Sequence, residues 1–416
     1  MSVLGRFLGT VVKRGTLRVI HPDGSVESFG AQDTDFPDIT IRLLDKTVIR
    51  RILLDPRLGA AESYMDGHLV VEQGDIMGLV QLLRKNRRWE EGGSLKKPGT
   101  FKKAKDFILG RIDRINGVKR SRSNVAHHYD IGNDLYKLFL DDDMQYSCAY
   151  WPRPKMTLEQ AQEAKKAHIA SKLNLEAGQR VLDIGCGWGG TALYLAQKFD
   201  VEVLGITLSE EQLAIALERA ADLGLSGRVK FELIDYRDLA EREANQFDRI
   251  VSVGMFEHVG SLNFSVFFRS VASLMNEDGV MLLHTIGRMG KPGSTDAFTR
   301  KYIFPGGYIP ALSETLQASE QCRLIHSDIE TLRLHYAFTL REWYRRTVTN
   351  KDRIIKLYDE RFYRMWTFYL AGAIAAFESG SMCNYQIQFI RNRETLPLTR
   401  DYISDQEKDL LPGLVS

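Results

Sequence analysis

Apolar and polar positions change rhythm twice along this chain. Over the first ninety residues they alternate in short runs: 17–20 and 26–29 flank an Asp23-Gly24 turn, which predicts a hairpin, and 39–44 adds a third strand. Residues 75–83 carry apolar positions at helical spacing. This block reads as a small α+β domain with no obvious catalytic constellation. From Arg180 onward the rhythm becomes strand–helix alternation. Apolar runs at 181–184, 201–206, 229–234, 250–253 and 280–284 are separated by helical stretches, among them 191–199 and 210–223, the latter capped by Ser209. Such alternation predicts an α/β, Rossmann-like, doubly wound sheet of parallel strands, with its site at their carboxyl ends.

Between the two rhythms lies a third. Phe101, Ala104, Ile108, Ile112 and Ile115 recur at spacings of three or four, Phe107 and Leu109 widen the stripe, and Lys102, Lys103, Lys105, Arg111 and Arg114 fill the other face. The spacing predicts a basic amphipathic helix, a form that binds anionic lipid surfaces. A helix packing its stripe on the protein fits the same pattern. Nucleic acid is a third reading, and the stretch has no recognisable module for it. Glu91-Gly92-Gly93-Ser94 and Pro98-Gly99 break the chain just before this helix. The expected division is therefore 1–90, a basic linker at 91–122, a catalytic domain at 123–400 and a tail at 401–416.

Composition agrees and adds exclusions. A chain of 416 residues exceeds what one core usually organises. Hydrophobic residues at 44% and charged residues at 26% exclude disordered, collagenous and fibrous classes. The net charge of +2 gives no global field of a nucleic-acid binder, but it hides a belt. Fourteen Lys and Arg face four acids between Arg84 and Arg122, a surplus of +10, so all other residues sum to −8. Cys148, Cys186, Cys322 and Cys383 include no CxxC pair and read as reduced thiols, with neither a disulfide frame nor a metal site. No stretch reaches the roughly 18 apolar residues of a bilayer span; the nearest, 366–377, reads as a buried helix. No secretory signal is visible at the N-terminus. The expectation is a cytoplasmic protein, drawn peripherally to the inner face of the membrane if the belt binds lipid.

The chemistry starts at Asp183-Ile184-Gly185-Cys186-Gly187-Trp188-Gly189-Gly190, on a strand-to-helix turn. Gly185, Gly187 and Gly190 fit GxGxxG, so a dinucleotide is weighed first. The end of the second strand, 205–209, offers neither a carboxylate for an NAD ribose nor an arginine for an NADP phosphate, and Asp183 would oppose a pyrophosphate. S-adenosylmethionine, cationic at sulfur, suits the place better, because glycine lets the backbone approach the methionine part. The stretch resembles motif I of the class I methyltransferases. Asp235 and Tyr236, after the third strand, are placed to bond and flank an adenine, and Thr207 and Gln212 lie near the expected ribose and methionine positions.

An ordered set of motifs narrows this further: HYDIGNDLY (128–136), MQYSCAYW (144–151), VLDIGCGWGG (181–190), GITLSEEQ (205–212), DYRDL (235–239), FDRIVSVGMFEHVG (247–260), LLHTIG (282–287) and KYIFPGG (301–307), with AESYMDG (61–67) in the N-terminal block. Together they resemble the cyclopropane-fatty-acid-phospholipid synthases of the longer bacterial type. The resemblance implies methylene transfer from S-adenosylmethionine to a cis double bond of an unsaturated phospholipid in the bilayer, through a carbocation. It implies bicarbonate as the base, held by Cys148, Glu257, His284, Tyr336 and the Ile286 amide. Tyr146 and Ser147 join Asp183, Gly185, Gly187, Gly189, Thr207, Gln212, Asp235 and Tyr236 as cofactor contacts. Apart from the resemblance, Glu257 and His284 fall at strand ends, where an acceptor and a donor for an oxyanion are useful. Cys148 reads as a weak polar contact or a small buried residue, and Tyr336 also fits a core tyrosine. His127, His128 and His258 read as structural. The N-terminal domain is expected to dock lipid or to form a homodimer. An alkene methyltransferase making methyl- or methylene-branched chains shares the same motifs and stays open.

Overall fold

The computed structural model describes residues 2–93 and 132–413. The expected basic helix at 101–115, with His127 and His128, lies outside the described residues. The chain divides into two compact units.

The first unit holds a four-stranded sheet of β1 (Thr16–Ile20), β2 (Val26–Phe29), β3 (Asp38–Leu43) and β4 (Leu69–Gln73), in the order β2-β1-β3-β4. The hairpin forms as its turn residues require: Gly24 takes φ +83° and donates its N–H to the His21 carbonyl at 2.9 Å, setting Leu17 opposite Phe29. β3 pairs parallel to β1 and antiparallel to β4. Helices Lys46–Leu54, Pro56–Met65 and Ile76–Lys85 begin at Asp45, Asp55 and Asp75, each of whose side chains accepts from a first-turn N–H.

This unit also takes in Asp296–Pro305 and Leu340–Met382, so the structure does not keep the expected catalytic block of 123–400 in one piece. Burial explains the difference. Helix Glu360–Glu378 buries Trp366, Leu370 and Ile374, and its Phe368 packs against the core that includes Val19, Leu43 and Leu82. Gln81 donates to Glu378 at 3.2 Å and Arg361 to Asp66 at 2.9 Å. The apolar run at 366–377 is the buried helix its length suggested, and no described helix is long and apolar enough to cross a membrane.

The second unit is built on β5 (Arg180–Ile184), β6 (Glu202–Thr207), β7 (Val229–Leu233), β8 (Phe247–Val253), β9 (Met275–Arg288), β10 (Ile325–Thr331) and β11 (Met382–Ile390), in the order β10-β11-β9-β8-β5-β6-β7. The pairs β5–β6, β6–β7, β5–β8 and β8–β9 are parallel, as the alternation predicts. β10 and β11 pair antiparallel at the edge and escape the apolar pattern. In β11 the polar Asn384, Gln386 and Gln388 occupy every second position, yet all three are buried. The strand order reverses at β5, flanked by β6 and β8, and a crevice opens where the connections part to opposite faces. Helix Leu158–Leu173 is also invisible to periodicity, because Lys165, Lys166, His168 and Lys172 are buried along with its alanines.

Candidate functional site

The turn after β5 is shaped by its glycines. Gly185 sits at φ +81°, and a Cβ there would stand 2.7 Å from Met255. Gly187, at φ +56°, has nothing within 4 Å of a Cβ position and lines the cavity above the strand ends. A ligand can therefore reach the backbone at Gly187. Gly189 differs from expectation: it is not among the lining residues, and a Cβ would meet Phe231 at 2.6 Å. It packs the following helix onto the sheet, while Gly190 and Thr191 face the cavity.

Every other expected cofactor residue lines this one cavity: Tyr146, Ser147, Asp183, Gly185, Gly187, Thr207, Gln212, Asp235 and Tyr236. Their positions follow from strand ends and caps. Thr207 Oγ1 donates to Gln212 Oε1 at 3.0 Å and accepts the Ser209 N–H, which fixes the turn after β6. Asp235 caps helix Tyr236–Arg242 and is held in a fork by Arg237 at 2.7 Å on both oxygens. Asp183 is buried, Oδ2 has no hydrogen-bond partner among the described residues, and burial pushes the carboxyl up to about 7 against the pull of Lys165. His258, expected to be structural, also lines the cavity.

The other group of expected residues lies off the cavity lining. Glu257 follows β8 in a short 3-10 turn, its carbonyl accepting the Tyr308 N–H at 2.9 Å. Its Oε1 accepts the Ile286 amide at 2.6 Å, so the structure brings these two expected residues together. Among the described residues Glu257 Oε2 is buried with no hydrogen-bond partner at contact geometry, and burial pushes the carboxyl up to about 7 against the nearby Ile286 amide and Thr285 hydroxyl. His284 pairs with Val253 across β8–β9, and Gln386 contacts its Nδ1 at 3.1 Å. Its Nε2 is buried and, among the described residues, unpartnered, and burial first, then the charge of Lys165, holds the imidazole well below its ordinary range, hence neutral. Cys148 Sγ lies 3.4 Å from the Ala149 carbonyl, and burial raises the thiol, so the weakly nucleophilic S–H form prevails. Tyr336 is buried near the start of helix His335–Thr349. That helix is tied to the Cys148 segment: Ala149 N donates to Thr339 Oγ1 at 3.1 Å and Trp151 N to His335 Nδ1 at 2.9 Å.

Several lining residues carried no signal of their own in the sequence. Arg237 stands over the Tyr236 ring at 5.2 Å, and Trp188 donates to Asn133 at 3.0 Å. Lys165 stands in no motif of the sequence. It is fully buried, its ammonium reaches Gln145 and Ser147, and its charge acts on Cys148, Asp183 and His284 alike. It links the two groups of residues. Only the buried setting of its helix distinguishes it from the many surface lysines.

With the geometry in place, similarity to known proteins is informative. A family model described as mycolic acid cyclopropane synthetase matches residues 117–387. The chain is 40% identical over 354 residues to a cyclopropane-fatty-acyl-phospholipid synthase of Escherichia coli, covering 85% of this chain and 88% of that one. It is 33% identical over 414 residues to a tuberculostearic acid methyltransferase of Mycobacterium tuberculosis, covering 94% and 91%. Among solved structures, a mycolic acid cyclopropane synthase complexed with S-adenosylhomocysteine superposes with a TM-score of 0.60 at 35% identity, over 64% of this chain and 97% of that one.

Proposed function

The chain belongs to the mycolic acid cyclopropane synthetase family and is an S-adenosylmethionine-dependent methyltransferase, and from that premise we propose that it converts the cis double bond of an unsaturated phospholipid acyl chain into a cyclopropane ring. S-adenosylmethionine supplies the methyl group: its S–CH3 bond breaks and the sulfonium sulfur keeps the pair, leaving as a neutral thioether. The alkene π pair forms the new C–C bond, leaving a cation on the neighbouring chain carbon. Loss of a proton from the transferred methyl then lets its electron pair close the ring.

An unactivated alkene is a poor nucleophile, so the cation must form away from water and beside a base. Bicarbonate would supply that base, held by Glu257, His284, the Ile286 amide, Cys148 and Tyr336. The donor set fits a small oxyanion. Among the described residues, Glu257 Oε2 and His284 Nε2 are both buried with unmet hydrogen-bonding capacity, and this carries the reading. Glu257 is suited to hold or release a proton at Oε2 near neutral pH, since burial has moved its carboxyl to about 7. Neutral His284 has one N–H to give, and Ile286 orients Glu257 through Oε1. The lysines and arginines of the 84–122 belt would bring this site to an anionic lipid surface.

The similarity to a tuberculostearic acid methyltransferase along nearly the whole chain favours a second reading, in which the same cation ends as a branched chain. Incubation with S-adenosylmethionine and unsaturated phospholipid vesicles, with and without bicarbonate, separates these. A product one CH2 heavier that resists mild hydrogenation, and that depends on bicarbonate, supports the proposal. A product one CH2 heavier that takes up hydrogen, the cation having lost a proton to leave a methylene or methyl branch beside a double bond, supports the second reading, and formation indifferent to bicarbonate removes it as the base.

A further inference from the structure

Lys165 lies within helix Leu158–Leu173 with none of its surface exposed. Its Nζ donates to Gln145 Oε1 and, at 2.9 Å, to Ser147 Oγ. Among the described residues it makes no ion pair at contact distance. Gln145 and Ser147 both line the cofactor cavity. Their backbone carbonyls are held as well, accepting from Gln162 Nε2 at 3.1 and 3.0 Å. The segment is thus pinned twice to one helix, and Lys165 makes the charged contact.

An ammonium has donors and no acceptor, so it dictates the polarity of every group it touches. Gln145 must turn its oxygen to Lys165, and its Nε2 accordingly donates to Asp143 Oδ2 at 3.0 Å. Ser147 must offer a lone pair to Lys165, and its own proton is left to be donated elsewhere. Among the described residues that hydroxyl donates to none, and it stands at the cavity wall. S-adenosylmethionine has one anionic group, the α-carboxylate of its methionine part. Its sulfonium and α-ammonium are cations that a nearby buried lysine would repel.

We propose that Lys165 is a positioning residue acting through Ser147: by occupying the lone pair of the hydroxyl, it makes Ser147 a donor for the α-carboxylate of S-adenosylmethionine. Burial pulls the lysine down to about 8, so it keeps its charge at neutral pH. The inference rests on the methyl donor alone and not on the lipid reading.

Isothermal titration with S-adenosylmethionine and with its decarboxylated analogue tests it. In the wild-type protein the analogue should bind about tenfold more weakly or worse, the scale of a hydrogen bond to a charged group. Lys165→Met should weaken S-adenosylmethionine about tenfold while changing the analogue less than about twofold, bringing the ratio near one. Equal weakening of both ligands would mean that Lys165 merely supports the segment, and no weakening would mean that it does not act on the cofactor; either overturns the proposal. Should Lys165→Met not fold, Lys165→Gln and Ser147→Ala decide it by the same ratio: near one supports the proposal, and the wild-type value in both overturns it. A failed vesicle assay would leave this ratio untouched.

Discussion

Replacing Glu257 by glutamine isolates the charge of the central carboxyl at almost constant shape. Glutamine keeps the Oε1 acceptor for the Ile286 amide, 2.6 Å away, and places a neutral amide where Oε2 is buried without a partner among the described residues. Burial raises the wild-type carboxyl from 4.5 to about 7, so the folded state holds its proton more tightly than the unfolded chain does. Stability from this group is complete below about pH 4.5 and is lost as pH rises through 7. At about 1.4 kcal/mol per pH unit, the loss is about 1 kcal/mol at pH 5.5 and about 3 kcal/mol once pH exceeds 7. Glu257→Gln escapes that loss. Its melting temperature should exceed that of the wild type by a few degrees at pH 8.5 and by clearly less at pH 5.5. Turnover should fall at least about a hundredfold, the usual scale for removing an acid–base group. S-adenosylmethionine affinity should change less than about twofold, because Glu257 lies outside the cavity lining. Differential scanning fluorimetry across pH, calorimetry and a product assay measure the three. A stability gain equal at both pH values, or a lost cofactor site, would refute the reasoning.

Two further substitutions probe the cofactor turn and the belt. Gly187→Val puts a branched side chain at φ +56° in open cavity space, and should cost about 1–2 kcal/mol of backbone strain together with most of the S-adenosylmethionine affinity; unchanged affinity by calorimetry would place the cofactor elsewhere. Neutralising Lys102, Lys103, Lys105, Arg111 and Arg114 together should weaken sedimentation with anionic vesicles by about 1 kcal/mol per residue at the surface and flatten its salt dependence; unchanged vesicle binding would remove the belt from lipid docking.

The sheet was legible because buried parallel strands are uninterrupted apolar runs, as at 181–184 and 250–253, and because Ser209 and the glycines punctuate them visibly. Most of the cofactor cavity followed from the same fact, since Asp183, Thr207 and Asp235 stand at strand ends by topology alone. What failed to show were buried polar residues. β11 hides behind Asn384, Gln386 and Gln388, and helix Leu158–Leu173 behind its lysines and histidine, because a sequence does not reveal which polar groups find partners inside. Lys165 belongs to this class. Gly189 shows the converse: a motif glycine can serve helix–sheet packing, here against Phe231. The return of 340–382 to the N-terminal unit depends on long-range burial of Trp366 and Leu370, for which local spacing carries no address.

The central claim is that a methyl carbon of S-adenosylmethionine becomes the ring carbon of a lipid cyclopropane. Incubating the protein with trideuteromethyl S-adenosylmethionine and vesicles of unsaturated anionic phospholipid, followed by mass spectrometry of the acyl chains before and after mild hydrogenation, tests it directly. Chains carrying two deuteriums that survive hydrogenation unchanged are the expected product. Chains retaining all three deuteriums, or no labelled acyl chain at all, would contradict it.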